Sequence, residues 1–242
     1  MMHDEEHVAD MVVAALETEP RIRVCGRPLW VEVTDGTVII EGDVQDIASK
    51  RRALARVAGL RRDRALVDRV QVAPAEAMQD GTIRDHLRDA LVGEPVFREC
   101  TLRLVYDARE EVARDAGEWE RGSICARVAS GVVAFEGRVP SLSHKRLAEA
   151  LAWWVPGVRD VRNDLAVSPP EEDTDDEISD AVRLVLEKEP LLDAAQLRVD
   201  TRGGEVVLHG AVPSDEQRAI AERDAWFVPG VREVKNQVEI GP

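Results

Sequence analysis

Residues 137–167 read GRVPSLSHKRLAEALAWWVPGVRDVRNDLAV, and residues 210–240 read GAVPSDEQRAIAERDAWFVPGVREVKNQVEI. The two stretches align without a gap and share a Val-Pro-Ser, a Trp, a Pro-Gly-Val and an Asn at equal positions. A more divergent copy begins at Gly42-Asp43-Val44 and ends at Val70-Gln71-Val72. Self-similarity at a fixed period is the signature of a repeat protein. The sequence therefore predicts three repeats of about 70 residues each.

The composition is that of a folded protein, with 44% hydrophobic and 33% charged residues in a chain of 242. No apolar run approaches the ~20 residues of a membrane span, so we expect no transmembrane segment. The N-terminal stretch MMHDEEHVAD is acidic, unlike a secretion signal. We therefore expect a cytoplasmic protein that is able to associate peripherally with a membrane.

The net charge of −15 repels both nucleic-acid backbones and anionic lipid as a global field, and it does not exclude a local basic patch. The three cysteines are an odd number, which argues against a disulfide framework. Two of them, Cys25 and Cys100, each follow a Glu-Pro by five residues, as a small core position would.

Each repeat shows the same order of predicted elements. An amphipathic helix ends at Glu-Pro, as at Glu189-Pro190, because proline disfavours helix at the preceding residue. A hairpin with a two-residue turn follows, as at Asp35-Gly36. A second helix then leads to a last strand. This order predicts an α+β module, αββαβ, with a small mixed three-stranded sheet and both helices on one face.

The pattern resembles the BON domain family of bacterial proteins, and the resemblance covers the whole chain as three copies. It is carried in the second and third repeats by Gly137, Val139, Gly157, Val158, Val161, Asn163, Gly210, Val212, Gly230, Val231, Val234 and Asn236. The first repeat keeps Gly42 and Val44, but has Arg61-Arg62-Asp63 in place of Pro-Gly-Val and Asp68 in place of the asparagine. The resemblance implies the αββαβ fold, attachment to phospholipid surfaces or other domains, a role in stress responses, and no catalytic residue.

These features predict domains at 4–73, 80–168 and 174–241. The second domain carries an insert at about 98–122, with a strand at 102–106 and a polar helical stretch ending at Trp119. We expect Gly157 and Gly230 to adopt a left-handed conformation at a helix end. Because units of this size bury little surface alone, we expect the repeats to pack on one another.

The second helix of the first repeat is the most distinctive candidate surface. It and the residues after it carry the basic side chains Lys50, Arg51, Arg52, Arg56, Arg61, Arg62 and Arg64. A basic amphipathic helix can bind anionic lipid. It can equally bind an acidic protein or nucleic acid, or pair with acidic groups of its own chain. The overall charge favours pairing within the chain.

Adjacent aromatic residues end two of the second helices, at Trp153-Trp154 and Trp226-Phe227. Neighbouring side chains on a helix point about 100° apart, so both rings of a pair cannot face one core. We expect one ring of each pair to contact another repeat, a partner or a membrane interface, with packing between repeats favoured because the units are small.

Catalytic and metal-binding motifs are weak. His3-Asp4-Glu5-Glu6-His7 matches H-x-x-E-H, but no third zinc ligand is identifiable. A cysteine–histidine nucleophile would require a proximity that the sequence does not reveal. We therefore expect no cofactor, no metal and no enzymatic activity.

The leading hypothesis is a binding or scaffolding protein that attaches to an anionic phospholipid surface or to a protein partner. A module that senses a small solute or an ion is the alternative, and an enzyme ranks third. The sequence does not determine the oligomeric state.

Overall fold

The computed structural model describes residues 2–61, 63–106 and 109–241, with side chains from Glu5 onward. The described residues form an α+β protein with six α-helices and three sheets of three, five and three strands. The chain divides into two compact units, residues 1–73 and residues 74–242. The first repeat is one unit, and the second and third repeats together form the other.

The first repeat contains two helices and one sheet, in the predicted order. Its elements are α1 (Met2–Glu17), β1 (Trp30–Thr34), β2 (Thr37–Val44), α2 (Ile47–Leu60) and β3 (Ala65–Val72). Strand β2 lies in the centre, antiparallel to β1 and parallel to β3. Alternate residues of β2, Val38 and Ile40, are fully buried, because one face of the sheet is covered by the helices.

The third repeat has the same topology in its own sheet. Its elements are α5 (Asp175–Lys188), β9 (Leu197–Arg202), β10 (Glu205–Val212), α6 (Asp215–Phe227) and β11 (Glu233–Ile240). Strand β10 is antiparallel to β9 and parallel to β11. All three first helices end just before their Glu-Pro, as predicted.

The second repeat has the same plan with two additional strands. Its elements are α3 (Asp80–Gly93), β4 (Cys100–Tyr106), β5 (Arg109–Arg114), β6 (Gly122–Ala129), β7 (Val132–Val139), α4 (Leu142–Trp153) and β8 (Asp160–Val167). The strand order in the sheet is β5-β4-β6-β7-β8.

The insert therefore differs from its predicted structure. Its first strand was predicted, but the polar helical stretch is strand β5, and only Gly117–Trp119 forms a short 3₁₀-helix. The backbone of β5 pairs with the open edge of β4, which satisfies groups that would otherwise need water. Strand β5 lies at the edge of the sheet, so its side chains can be polar on both faces, which hides the strand pattern.

The hairpin turns are built as the sequence indicates. Both turn residues have positive φ in each repeat: 49° and 73° at Asp35-Gly36, 54° and 75° at Ser130-Gly131, and 59° and 77° at Gly203-Gly204. Two consecutive positive φ values define the turn that matches the twist of a hairpin. The glycine that opens each repeat motif has a different role. At Gly42 (φ 143°) a Cβ atom would lie 2.5 Å from the carbonyl oxygen of Pro28, so only glycine fits.

The central strand pairs with the last strand in the same register in all three repeats. Thr37 pairs with Ala65, Val132 with Asp160, and Glu205 with Glu233, each 28 residues apart in the chain. The divergent corner of the first repeat therefore preserves the register. It follows that each residue from β2 to β3 has a structural equivalent 95 and 168 positions later.

Candidate functional site

Lys50 begins the basic series of α2, but it is not a surface residue. Its side chain is 6% exposed, and its Nζ donates to the Val70 carbonyl at 2.6 Å and lies 2.8 Å from Asp68 Oδ2. The ammonium is therefore used inside the first repeat. This removes Lys50 from the candidate docking surface, because a lysine held by a carboxylate and a carbonyl on the core side cannot meet a partner.

The reason for this arrangement is visible in the other repeats. There the position of Asp68 is an asparagine, whose Nδ2 donates at 2.8 Å to a backbone carbonyl of the second helix: Asn163 to Lys145 and Asn236 to Arg218. Lys145 and Arg218 are the equivalents of Lys50. An ionised aspartate cannot donate this bond. In the first repeat the Lys50 side chain instead ties α2 to β3.

Arg56 is half-exposed on α2 and forms the clearest part of the basic surface. Its Nη2 lies 2.6 Å from Glu19 Oε2, and Arg21 Nε lies 2.9 Å from Glu19 Oε1. Hydrogen bonds from Arg21 and then Arg56 lower the pKa of Glu19 to about 2, so this carboxylate is ionised at neutral pH. Two guanidinium groups thus converge on one carboxylate, which leaves a local excess of positive charge.

The other predicted basic residues lie near this cluster in the chain. Arg51 and Arg52 are half-buried on α2. Arg61 caps the end of α2, and its guanidinium donates to the Arg64 carbonyl. Arg62 lies outside the described residues. We call Arg21, Arg52, Arg56, Arg61 and Arg64 the arginine surface of the first repeat.

Two members of this surface, Arg52 and Arg56, occupy positions that are buried in the other repeats. The equivalents of Arg52 are Leu147 (1% exposed) and Ile220 (7% exposed), and those of Arg56 are Leu151 and Asp224, which are also buried. Helix α2 therefore carries charge where α4 and α6 are covered by packing.

The predicted aromatic residues lie between the second and third repeats. The rings of Trp153 and Phe227 are stacked, with centroids 6.2 Å apart and an interplanar angle of 5°. Both are buried, at 8% and 7% exposed, while Trp226 is 1% exposed and Trp154 is half-buried. Helix α4 packs against both α5 and α6, so the helices of the two repeats form a shared layer.

A buried arginine completes this junction. Arg146, on α4, has a side chain that is 3% exposed; its Nε donates to the Pro229 carbonyl at 3.2 Å and its Nη2 pairs with Asp173. The interaction joins the second repeat to the Pro-Gly-Val corner of the third. The sequence did not single out Arg146, because a helical arginine is ordinarily exposed and only the packing of the third repeat on α4 buries this one.

The two corner glycines differ from one another. Gly230 has a positive φ of 95°, as predicted, but Gly157 does not, and that prediction was wrong. A Cβ atom on Gly157 would lie 2.6 Å from the Cβ of Met78, in the segment before α3. Glycine is needed there for close packing and not for backbone conformation.

Two aspartates at helix N-termini hold the hairpin turns, a feature that the sequence analysis did not identify. Asp80 accepts from the amides of Ser130 and Gly131 at 2.7 and 2.8 Å, and Asp175 accepts in the same way from the third hairpin. These amide bonds lower the pKa of Asp175. The available signal was an aspartate 15 residues before the proline in both repeats.

A small cavity of about 180 Å³ brings Cys100 and His144 together, but its chemistry is that of packing. Burial raises the pKa of the Cys100 thiol to about 11, so the thiol is neutral near pH 7. The Nδ1 atom of His144 lies 2.7 Å from the Ser141 hydroxyl, and burial lowers the pKa of the imidazole. A thiolate nucleophile with a histidine base is not favoured by this geometry.

No group of three metal-ligating side chains occurs in the described part of the chain. The side chain of His3, from the H-x-x-E-H motif, lies outside that part. Among the described helices, none has both the length and the apolar composition that crossing a bilayer demands.

Comparison with known proteins identifies a family. A sequence model of the BON domain matches residues 4–74, 107–169 and 174–242, the second match beginning after α3 and β4. Two structures of CdsD, a structural protein of the type III secretion system of Chlamydia trachomatis, are similar at 16% identity. The C-terminal domain of CdsD aligns over 96% of each chain with a TM-score of 0.26, and the other structure over 98% of this chain and 90% of that one with a TM-score of 0.24. No curated protein matches.

Proposed function

Because this chain belongs to the BON domain family, we propose that it is a non-enzymatic attachment protein whose first repeat binds anionic phospholipid through the arginine surface. BON domains are binding modules for phospholipids or protein partners. In this proposal the second and third repeats form an acidic body carried by the docking repeat.

The distribution of charge supports this assignment. Residues 1–73 contain 13 acidic and 11 basic residues, so the first unit carries −2 of the total charge of −15. The remaining unit repels an anionic surface, whereas the first is nearly neutral and concentrates its arginines in and beside α2. Each arginine near an anionic bilayer contributes about 1 kcal/mol to the free energy of membrane binding.

The pairing of Arg21 and Arg56 on Glu19 is the single observation that carries the proposal. Their side chains are 54% and 53% exposed, and Glu19 holds the two guanidinium groups side by side at the surface. A guanidinium presents five donors in a fixed fork and binds phosphate oxygens in pairs. A preorganised pair of arginines suits a phosphate group better than separate lysines would.

Flotation with vesicles tests the proposal. The full-length protein is expected to float with phosphatidylglycerol vesicles at low salt, not with phosphatidylcholine vesicles, and to be released by high salt. Arg21→Gln/Arg56→Gln is expected to weaken binding about tenfold or more. Arg198→Gln/Arg202→Gln, which removes the same charge from the third repeat, should bind as the wild type does.

Absence of flotation at low salt would exclude phospholipid as the ligand. Equal losses for both double variants would show a response to net charge only and would refute a specific role for the arginine surface. If the protein instead binds an acidic protein and Arg21→Gln/Arg56→Gln weakens that binding, the arginine surface is a binding site but its partner is a protein and not phospholipid.

A further inference from the structure

A buried carboxylate lies at the junction of the second and third repeats. Asp224, on α6, is 0% exposed. Its Oδ1 accepts from Arg223 Nε at 2.9 Å, but its Oδ2 is buried without a hydrogen-bond partner among the described residues. Buried carboxylates normally have their acceptors satisfied, because desolvation of the charge is costly. One of the two carboxylate oxygens of Asp224 is therefore satisfied and the other is not.

The charges that face Asp224 do not compensate for this. From α6, Arg223 is the pairing cation, but it is 49% exposed and is shared with Glu189, whose Oε2 lies 3.6 Å from Arg223 Nη2. Glu189 follows α5, so two carboxylates share one guanidinium. The indole of Trp154, the residue that caps the end of α4 in the second repeat, lies close to Asp224 but without a hydrogen bond of ordinary length and angle.

Burial and the neighbouring groups together raise the pKa of Asp224 well above the ordinary value for an aspartate. Burial raises the pKa of Asp224 to about 6, Arg223 opposes the increase, Glu189 adds to it and Trp154 opposes it. The ordinary value for an aspartate is 3.8.

The position of Asp224 connects its charge to the packing of the repeats. Phe227, three residues further along α6, stacks on Trp153, and Trp154 follows directly in the chain. A second contact between the two repeats is the ion pair of Lys188 with Glu94, at 2.9 Å. A negative charge on Asp224 therefore arises within the layer of side chains that joins the two repeats.

We infer that Asp224 is a proton-binding site that sets how firmly the second and third repeats hold together, with the protonated form tightening the junction and the ionised form loosening it. This inference does not depend on the proposed attachment of the first repeat. The folded protein binds the proton more tightly than the unfolded chain, so stability falls as pH rises from about 4 to about 6. For one such group the unfolding constant should increase about tenfold between pH 5 and pH 7.

Urea unfolding of the full chain at several pH values between 5 and 8 tests the inference. Asp224→Asn removes the titration and keeps the shape, and Asp224→Leu introduces the residue that the second repeat has at this position, Leu151. The ratio of wild-type to variant unfolding constants should rise about tenfold from pH 5 to pH 7 and then level off. His144 has a lowered pKa and acts in the opposite direction, but it cancels in this ratio.

Asp215→Asn is the matched control, since Asp215 starts the same helix and its side chain is 78% exposed. The ratio of the wild-type unfolding constant to that of Asp215→Asn should not change with pH over this range. Hydrogen exchange gives a second readout: protection of α4 and α6 should fall from pH 5 to pH 7 in the wild type and not in Asp224→Asn.

Parallel pH profiles for wild type and both Asp224 variants would overturn the inference. If neither variant folds, carboxyl NMR of the wild type decides, because a titration midpoint of Asp224 below pH 4.5 would equally overturn it. Loss of protection confined to α6, with α4 unchanged, would also contradict a role at the junction.

Discussion

The bond between Lys50 and Asp68 gives the sharpest test of how the first repeat is held together. Lys50→Met keeps most of the apolar stem but removes the donor for Asp68 and the Val70 carbonyl. Removing one partner of a fully buried ion pair costs about 3–5 kcal/mol. Because the Asp68 side chain is 31% exposed, water can reach it, and we expect about 2 kcal/mol.

A second change should reverse most of this loss. Asp68→Asn supplies an amide that can donate to the Lys50 backbone carbonyl, as Asn163 and Asn236 do to Lys145 and Arg218. In the double variant Lys50→Met/Asp68→Asn no unpaired charge remains. We expect it to lie within about 1 kcal/mol of the wild type, with a coupling energy above about 1 kcal/mol.

Hydrogen exchange in the full chain is the appropriate assay, because it reports the opening of β3 separately from the other repeats. Lys145→Met is the control in the second repeat. There the backbone carbonyl, and not the side chain, accepts the asparagine bond, so the change should cost less than about 0.5 kcal/mol. Additive effects of Lys50→Met and Asp68→Asn would refute the idea that the ion pair substitutes for the asparagine.

Three further outcomes are expected. Phe227→Ala should destabilise the unit 74–242 by about 3–5 kcal/mol, since it removes a buried ring stacked on Trp153, and tryptophan fluorescence in a urea titration would measure it; a loss below 1 kcal/mol would contradict the contact. Gly210→Ala should lower the free energy of unfolding by at least about 2 kcal/mol, because Gly210 has a φ of 125° and a close backbone contact. Gly203→Ala, with open space around it, should lower it by about 1 kcal/mol in the same assay. Asp175→Asn should lower the Tm at neutral pH, and the difference from wild type should vanish as pH falls below 3.8 through the lowered pKa of this carboxyl; a difference that persists at pH 2 would contradict this.

The order of elements was predictable because each boundary has a local cause. Glu-Pro ends the first helices, two positive-φ residues form the hairpin turns, and Gly42 and its equivalents accept a close backbone contact. These determinants act over a few residues, so a single sequence contains them. The family resemblance rests in part on the same repeat-opening glycines, and it is confirmed by the match to the BON domain.

The parts that could not be predicted depend on contacts between distant segments. Strand β5 looks polar because it is an edge strand, and only its pairing with β4 makes it a strand. Lys50 looks like a member of a basic helix face, and only the position of Asp68 shows that it is internal. Asp224 resembles any helical aspartate until the second repeat covers it. Four members of the arginine surface were named from the sequence, namely Arg52, Arg56, Arg61 and Arg64. Arg21 was not, because only the fold brings it to Glu19 together with Arg56.

The glutamate of each Glu-Pro pair shows what duplication does to a residue that does not itself change. Glu19 is held by Arg21 and Arg56 of its own repeat and Glu189 by Arg223 of its own, but Glu94 is held by Lys188 from the following repeat. The glutamate of the Glu-Pro pair thus contacts a different repeat in one case and its own repeat in the other two. The surroundings of each copy, and not the glutamate itself, decide which partner it has. Substitution of the three glutamates should therefore have different effects, although their local sequence is the same. Loss of Glu94 would remove a contact between two repeats, whereas loss of Glu19 or Glu189 would remove contacts within one.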